Sequence, residues 1–143
     1  MFSKILVPID GSDMAWRALE DAVVLGEKFS SSITIIHVVQ PYNTIPSIDG
    51  SPIFIPRDVE EIQRSGDVLL KHAAEKMVGY PYPLDTHIEY GYPAERILHL
   101  IKEQGFDAVV IGYQGLSAFA EFLLGSVAMN VAQHSPVPVL IVK

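Results

Sequence analysis

Short apolar runs rich in β-branched residues alternate with stretches of helical spacing along this whole chain, and every connection between runs is long enough to carry a helix. Parallel strands require such crossovers, and the crossover helices cover both faces of the sheet they join. The runs are Lys4–Ile9, Ile33–Val39, Leu84–Tyr90, Ala108–Ile111 and Val137–Val142. Ala15, Leu19 and Phe29 mark a helix from about Asp13 that Ser30-Ser31-Ser32 breaks. Asp58 and Glu61 resemble a capping box ahead of Val59, Ile62, Leu69, Ala73 and Met77. Pro93 opens a third helix that Gly105 stops, and Ser126 to about His134 forms the last one, after a glycine-punctuated loop and a short helix. The expectation is one α/β domain over residues 1–143: a doubly wound five-stranded parallel sheet, strand order 3-2-1-4-5, with helices on both faces. Ligands of such sheets bind outside the carboxyl ends of the strands, where the chain reverses direction across the sheet.

Two segments depart from the pattern. Leu84, Thr86, Ile88 and Tyr90 alternate with Asp85, His87 and Glu89, which predicts an exposed edge strand. From Gln40 to Arg57 the chain holds four prolines and Gly50 among five large apolar residues, and reads as a long connection without assigned structure.

Charge and composition narrow the partners. A net charge of -7 gives no electrostatic footprint for nucleic acid, and the absence of Lys/Arg runs argues against an anionic membrane surface. With no cysteine, thiolate catalysis and zinc–thiolate sites are excluded. The apolar stretch after Lys4 is too short for a signal segment or a membrane span, so the expected location is cytoplasmic.

Three glycines follow the fourth strand: Gly112 at its end beside Ile111, then Gly115, then Gly125 with Ser126 opening the last helix. Each alone reads as a turn or cap residue. Together, at the ligand end of a strand, they suggest phosphate recognition. Gly112 would let a ligand approach the main chain, Gly115 would take positive φ and turn N–H groups inward, and Gly125-Ser126 would present a helix N-terminus. Asp10 ends the first strand and points toward the same crevice; its other available role, capping the first helix, could equally fall to Ser12.

Gly112-x2-Gly115-x9-Gly125-Ser126-Val127 and the closing His134-Ser135-Pro136-Val137-Pro138-Val139-Leu140-Ile141-Val142 resemble the ATP-binding branch of the universal stress proteins. So do Lys4-Ile5-Leu6-Val7-Pro8-Ile9-Asp10-Gly11-Ser12, Ile35-Ile36-His37-Val38 and Gly91-Tyr92-Pro93-Ala94-Glu95-Arg96-Ile97. The resemblance covers the chain apart from about Pro41 to Arg57. It implies that Asp10 bonds a ribose, that the Val38 backbone meets adenine and that Pro8-Ile9 flanks the base. Gly112, Gly115, Gly125, Ser126 and Val127 would hold ribose and phosphates. The implied ligand is ATP, with AMP or ADP as alternatives and Mg²⁺ accompanying the phosphates. The implied partner is a second copy, paired antiparallel through the last strand. Where many relatives carry a basic or histidine side chain between the first two glycines, Tyr113-Gln114 is neutral here. An arginine at position 114 would restore that cation; the alternative is a basic group distant in sequence, Arg57 or Arg64, that reaches the phosphates.

Other chemistries find no support. There is no Gly-x4-Gly-Lys-Ser/Thr loop, no Gly-x-Gly-x-x-Gly after a strand and no Gly-x-Ser-x-Gly elbow. Asp10-Gly11-Ser12-Asp13 lacks the paired glycines of an ATP pyrophosphatase loop, and His37, His72, His87, His99 and His134 are too scattered for a metal site. Trp16 reads as packing. The favoured function is a nucleotide-binding regulatory module with little or no turnover. Its rival is a slow ATPase or nucleotide-dependent enzyme in the same crevice, which would need a base; Glu121 is the nearest carboxylate in sequence. A flavin carrier is the third alternative.

Overall fold

The computed structural model describes residues 1–116 and 123–143. Strand β1 (Lys4–Pro8) leads into helix α1 (Asp13–Phe29), then β2 (Ser32–Val39), β3 (Tyr42–Pro46) and β4 (Pro52–Pro56). Helix α2 (Val59–Lys76), β5 (Leu84–Tyr90), α3 (Pro93–Gln104), β6 (Ala108–Gly112), α4 (Ser126–His134) and β7 (Val139–Val142) complete the described elements. The main sheet runs β5-β2-β1-β6-β7, every pairing parallel. Without the β3–β4 pair, this is the predicted order 3-2-1-4-5. The short helix expected after the glycine-punctuated loop, and Glu121 with it, lie outside the described residues.

Alternation along β1 sorts the core into two layers. Ile5 and Val7 face α1 and α2 in one cluster with Ala18, Leu19 and Leu70, whereas Leu6 faces α3 and α4 in the other with Ile97, Leu100 and Val131. Central strands buried on both faces carry aliphatic residues at nearly every position; β1 and β6 do so here.

The helices stop and start where the sequence gives a physical reason. The Ser12 hydroxyl accepts from Ala15 N–H at 3.3 Å to cap α1, and Ser30 ends that helix in the left-handed region at φ 57°. Asp58 accepts from the N–H groups of Glu60 and Glu61 to cap α2. Gly105, at φ 67°, terminates α3, a conformation L-residues adopt only at a cost.

The connection after β2 is not without structure. β3 and β4 form an antiparallel hairpin, with Tyr42 opposite Pro56, Thr44 opposite Phe54 and Pro46 opposite Pro52. Ser47 N–H donates to Ser51 O at 2.9 Å and Arg57 N–H to Pro41 O at 3.0 Å, which makes those two pairs hydrogen-bonded. Pairing type alternates along such a ribbon. Pro46, Pro52 and Pro56 therefore fall at the positions whose N–H would point outward, where its loss breaks no bond. At the tip Asp49 accepts from the hydroxyls of Ser47 and Ser51 and from Ser51 N–H, which holds its carboxyl well below the ordinary range. Tyr42 and Phe54 meet edge to face, 6.3 Å apart.

Candidate nucleotide cleft

A cleft of about 920 Å³ opens at the carboxyl ends of β1, β2 and β6. All ten residues singled out from the sequence line it: Pro8, Ile9, Asp10, Val38, Ile111, Gly112, Gly115, Gly125, Ser126 and Val127. The topology brings them together, because β1 sits between β2 and β6 and all three strands end on the same side.

Asp10 organises the floor. Its Oδ1 accepts from Ser12 N–H at 2.9 Å and its Oδ2 from Leu116 N–H at 3.0 Å, tying the β1–α1 turn to the loop after β6. Capping of α1 falls to Ser12, which leaves the remaining acceptor capacity of Asp10 open to a ligand. It is the one carboxylate among the described residues lining the cleft.

Two of the glycine assignments change in physical content. Gly115 does not adopt positive φ; a side chain there would collide with Asp10 Oδ2, so glycine is required for close approach to a carboxylate. Gly112 does not turn its bare face to the cleft. A Cβ at that position would lie 2.9 Å from the Met14 carbonyl carbon and 3.0 Å from Ala15 N, so its absence lets the start of α1 pack on β6. Gly125 behaves similarly, with its missing Cβ facing Tyr113 O and Gln114 Cα at 3.1 Å each, while Gly125 N–H donates to Tyr113 O at 2.8 Å. These contacts hold the start of α4 against the loop after β6.

Helix α4 begins with no side-chain cap. The first N–H groups of a helix have no intrahelical acceptor, and they carry the positive end of its dipole. Ser126, Val127 and Ala128 line the cleft at that point. The opposite end has an apolar floor of Val38, Val39, Ile62, Leu69 and Ile97 between the end of β2, α2 and α3, with the polar His37, Gln40, Arg57 and Ser65 around it.

The neutral pair between the glycines is structural. Gln114 is buried, with Nε2 donating to Leu123 O. Arginine at 114 would therefore undo that loop contact, contrary to the simple substitution suggested by sequence. Tyr113 instead has a cation beside it: Lys143 Nζ lies 5.3 Å from its ring centroid, delivered by the pairing of Val142 with Gly112.

Sequence reasoning gave His37 no role in the cleft, although the residue lines it. His37 Nδ1 lies 2.9 Å from Ile9 O; that oxygen can only accept, so Nδ1 carries the proton. The shape at this point also explains Gly66 in α2, where a Cβ would stand 3.1 Å from the His37 ring. Arg57 lines the cleft and donates from Nη1 to Gln40 O at 3.3 Å. Arg64, the other arginine near the hairpin, bonds Glu60 O of its own helix at 3.4 Å and lines no part of the cleft. Of the two arginines the sequence offers as a distant phosphate partner, Arg57 lines the cleft and Arg64 does not.

The model of the universal stress protein family matches residues 1–143. Universal stress protein YxiE of Bacillus subtilis is 36% identical, with both chains covered fully. The solved structure of universal stress protein UspA from Lactobacillus plantarum superposes with a TM-score of 0.75 at 25% identity, covering 99% of this chain and 98% of that one. A universal stress protein solved in complex with cAMP superposes at a TM-score of 0.73 and 25% identity, covering 99% and 97%. With its sheet order, its glycine-bounded cleft and this full-length match, the chain belongs to the universal stress protein family.

Proposed function

We propose that the cleft binds an adenine nucleotide, ATP foremost, and that the protein is a dimeric regulatory module whose nucleotide state is read by others. The observation that carries this reading is the polarity of the cleft: an uncapped helix start at one end, an apolar slot at the other, and the Asp10 carboxylate between them. A nucleoside phosphate has the same order of parts. The base would enter the slot by the end of β2 at Val38, flanked by Pro8 and Ile9. A ribose hydroxyl would donate to Asp10. Phosphates would accept from the main chain around Gly112 and Gly115 and from the Ser126 and Val127 N–H groups at the helix start that Gly125 caps, with the Ser126 hydroxyl as a further donor. The complex of a similar universal stress protein with cAMP supports the adenine class.

Mg²⁺ would arrive with the phosphates. Both Asp10 oxygens already accept backbone N–H groups, and no second carboxylate joins it among the described lining residues. The same chemistry argues for little turnover, since no carboxylate base stands beside the helix start among the described residues and binding energy alone leaves the chemical barrier high. Phosphate release from Mg²⁺–ATP is expected well below about 1 per second, against a median near 10 per second for enzymes. A rate in the ordinary enzymatic range would replace the regulatory reading with the ATPase one.

A further inference from the structure

Arg57 is the one arginine or lysine among the described residues lining the cleft, and it forms no ion pair within them. Its position is set by the hairpin. Arg57 N–H donates to Pro41 O at 3.0 Å where the two hairpin strands meet, and Nη1 reaches back to Gln40 O at 3.3 Å. The side chain therefore stands at the β2 side of the cleft, one residue before the Asp58 cap of α2. The uncapped start of α4 is held against the loop after β6, where Gly125 N–H donates to Tyr113 O at 2.8 Å, and β1 separates β6 from β2. Two strand spacings, about 9.6 Å, thus divide the strand end beside Arg57 from the strand end beside the phosphate-type donors. A guanidinium at the apolar end of a cleft is suited to a flat aromatic ring more than to a phosphate already supplied with N–H donors. We propose that Arg57 is a base clamp, its guanidinium plane lying over the purine at the end of β2. The hairpin's role is then to carry that side chain to the rim. This rests on the adenine-nucleotide reading given above.

The test is calorimetric titration of adenosine, AMP and Mg²⁺–ATP into wild type, Arg57→Leu and Arg57→Lys. Neither substitution removes the backbone bond to Pro41, so the root of the hairpin is retained. A stacked guanidinium predicts a loss of about 3- to 30-fold in Arg57→Leu, equal for all three ligands. Lysine, lacking the plane, should restore little of it. A loss confined to ATP and rescued by lysine would make Arg57 a phosphate contact and overturn the clamp, as would unchanged affinity for all three. Wild-type protein that binds none of the three would overturn the nucleotide reading, and the clamp with it.

Discussion

Gly115 and Asp10 form a matched pair: the carboxylate can cross to Leu116 N–H only because no Cβ stands in its way. Gly115→Val should therefore expel the Asp10 carboxylate, part the two loops it joins and abolish nucleotide binding, with the far-ultraviolet dichroism of the wild type retained. Nucleotide affinity like that of wild type in this variant would show that the loop is not part of the site. The place of Gly115 in the cleft was legible in the sequence through its spacing from Gly112 and Gly125. Its reason was not, because spacing suggests a turn with positive φ and cannot show that a residue 105 positions earlier supplies the obstacle. Gly112 teaches the same lesson, since helix packing and ligand approach ask for the same missing Cβ. Asp10 lines the crevice at the end of the first strand, where its sequence position puts it, yet its bond from Leu116 N–H depends on a loop that only folding brings near.

Among the elements, the main strands and helices follow their periodicity closely, and the departures have local causes. The last strand starts at Val139, two residues later than its apolar run, because Ser135 and Val137 form a hydroxyl-bridged turn around Pro136. The β3–β4 hairpin was hidden by its prolines, which normally argue against strands; here three of them occupy outward positions of a two-stranded ribbon. Strand β5 is the edge its alternation predicted, and it is clipped to α3 by Arg96, whose Nε and Nη2 reach Glu89 Oε2 at 2.9 and 2.7 Å. His87 holds the other oxygen at 2.7 Å. Partial burial raises the Glu89 pKa, but the bonds from Arg96 and His87 outweigh it and leave the carboxyl below its ordinary value of 4.5. A depressed carboxyl stabilises the fold above its unfolded pKa and loses that contribution as pH falls through the folded one. Arg96→Met should cost about 1.5 to 3 kcal/mol at neutral pH, the range for hydrogen bonds to a charged group. The penalty measured by urea denaturation should shrink as the pH is taken below the ordinary Glu89 value of 4.5. A penalty constant from neutral to acid pH would show that Arg96 acts through packing alone.

For the whole molecule, a net charge of -7 disfavours self-association except where charge is absent. The β7 edge is such a place. From Ser135 to Val142 the chain carries no charge, β7 pairs only with β6 among the described residues, and Leu140 stays 42% exposed on it. An apolar sheet edge invites pairing with a second copy. Light scattering at micromolar concentration should give twice the 15.7 kDa chain mass, and Leu140→Asp should lower it toward one chain. A wild-type monomer at that concentration would refute the β7 interface while leaving the cleft untouched. The cleft itself is tested most directly by titrating ATP and AMP into the purified wild-type protein with Mg²⁺ present and followed by calorimetry. Phosphate recognition resting on main-chain N–H groups and a helix start, worth up to about 2 kcal/mol, predicts one nucleotide per chain, with ATP bound only modestly tighter than AMP. No saturable heat with either nucleotide would contradict the assignment of this cleft to adenine nucleotides.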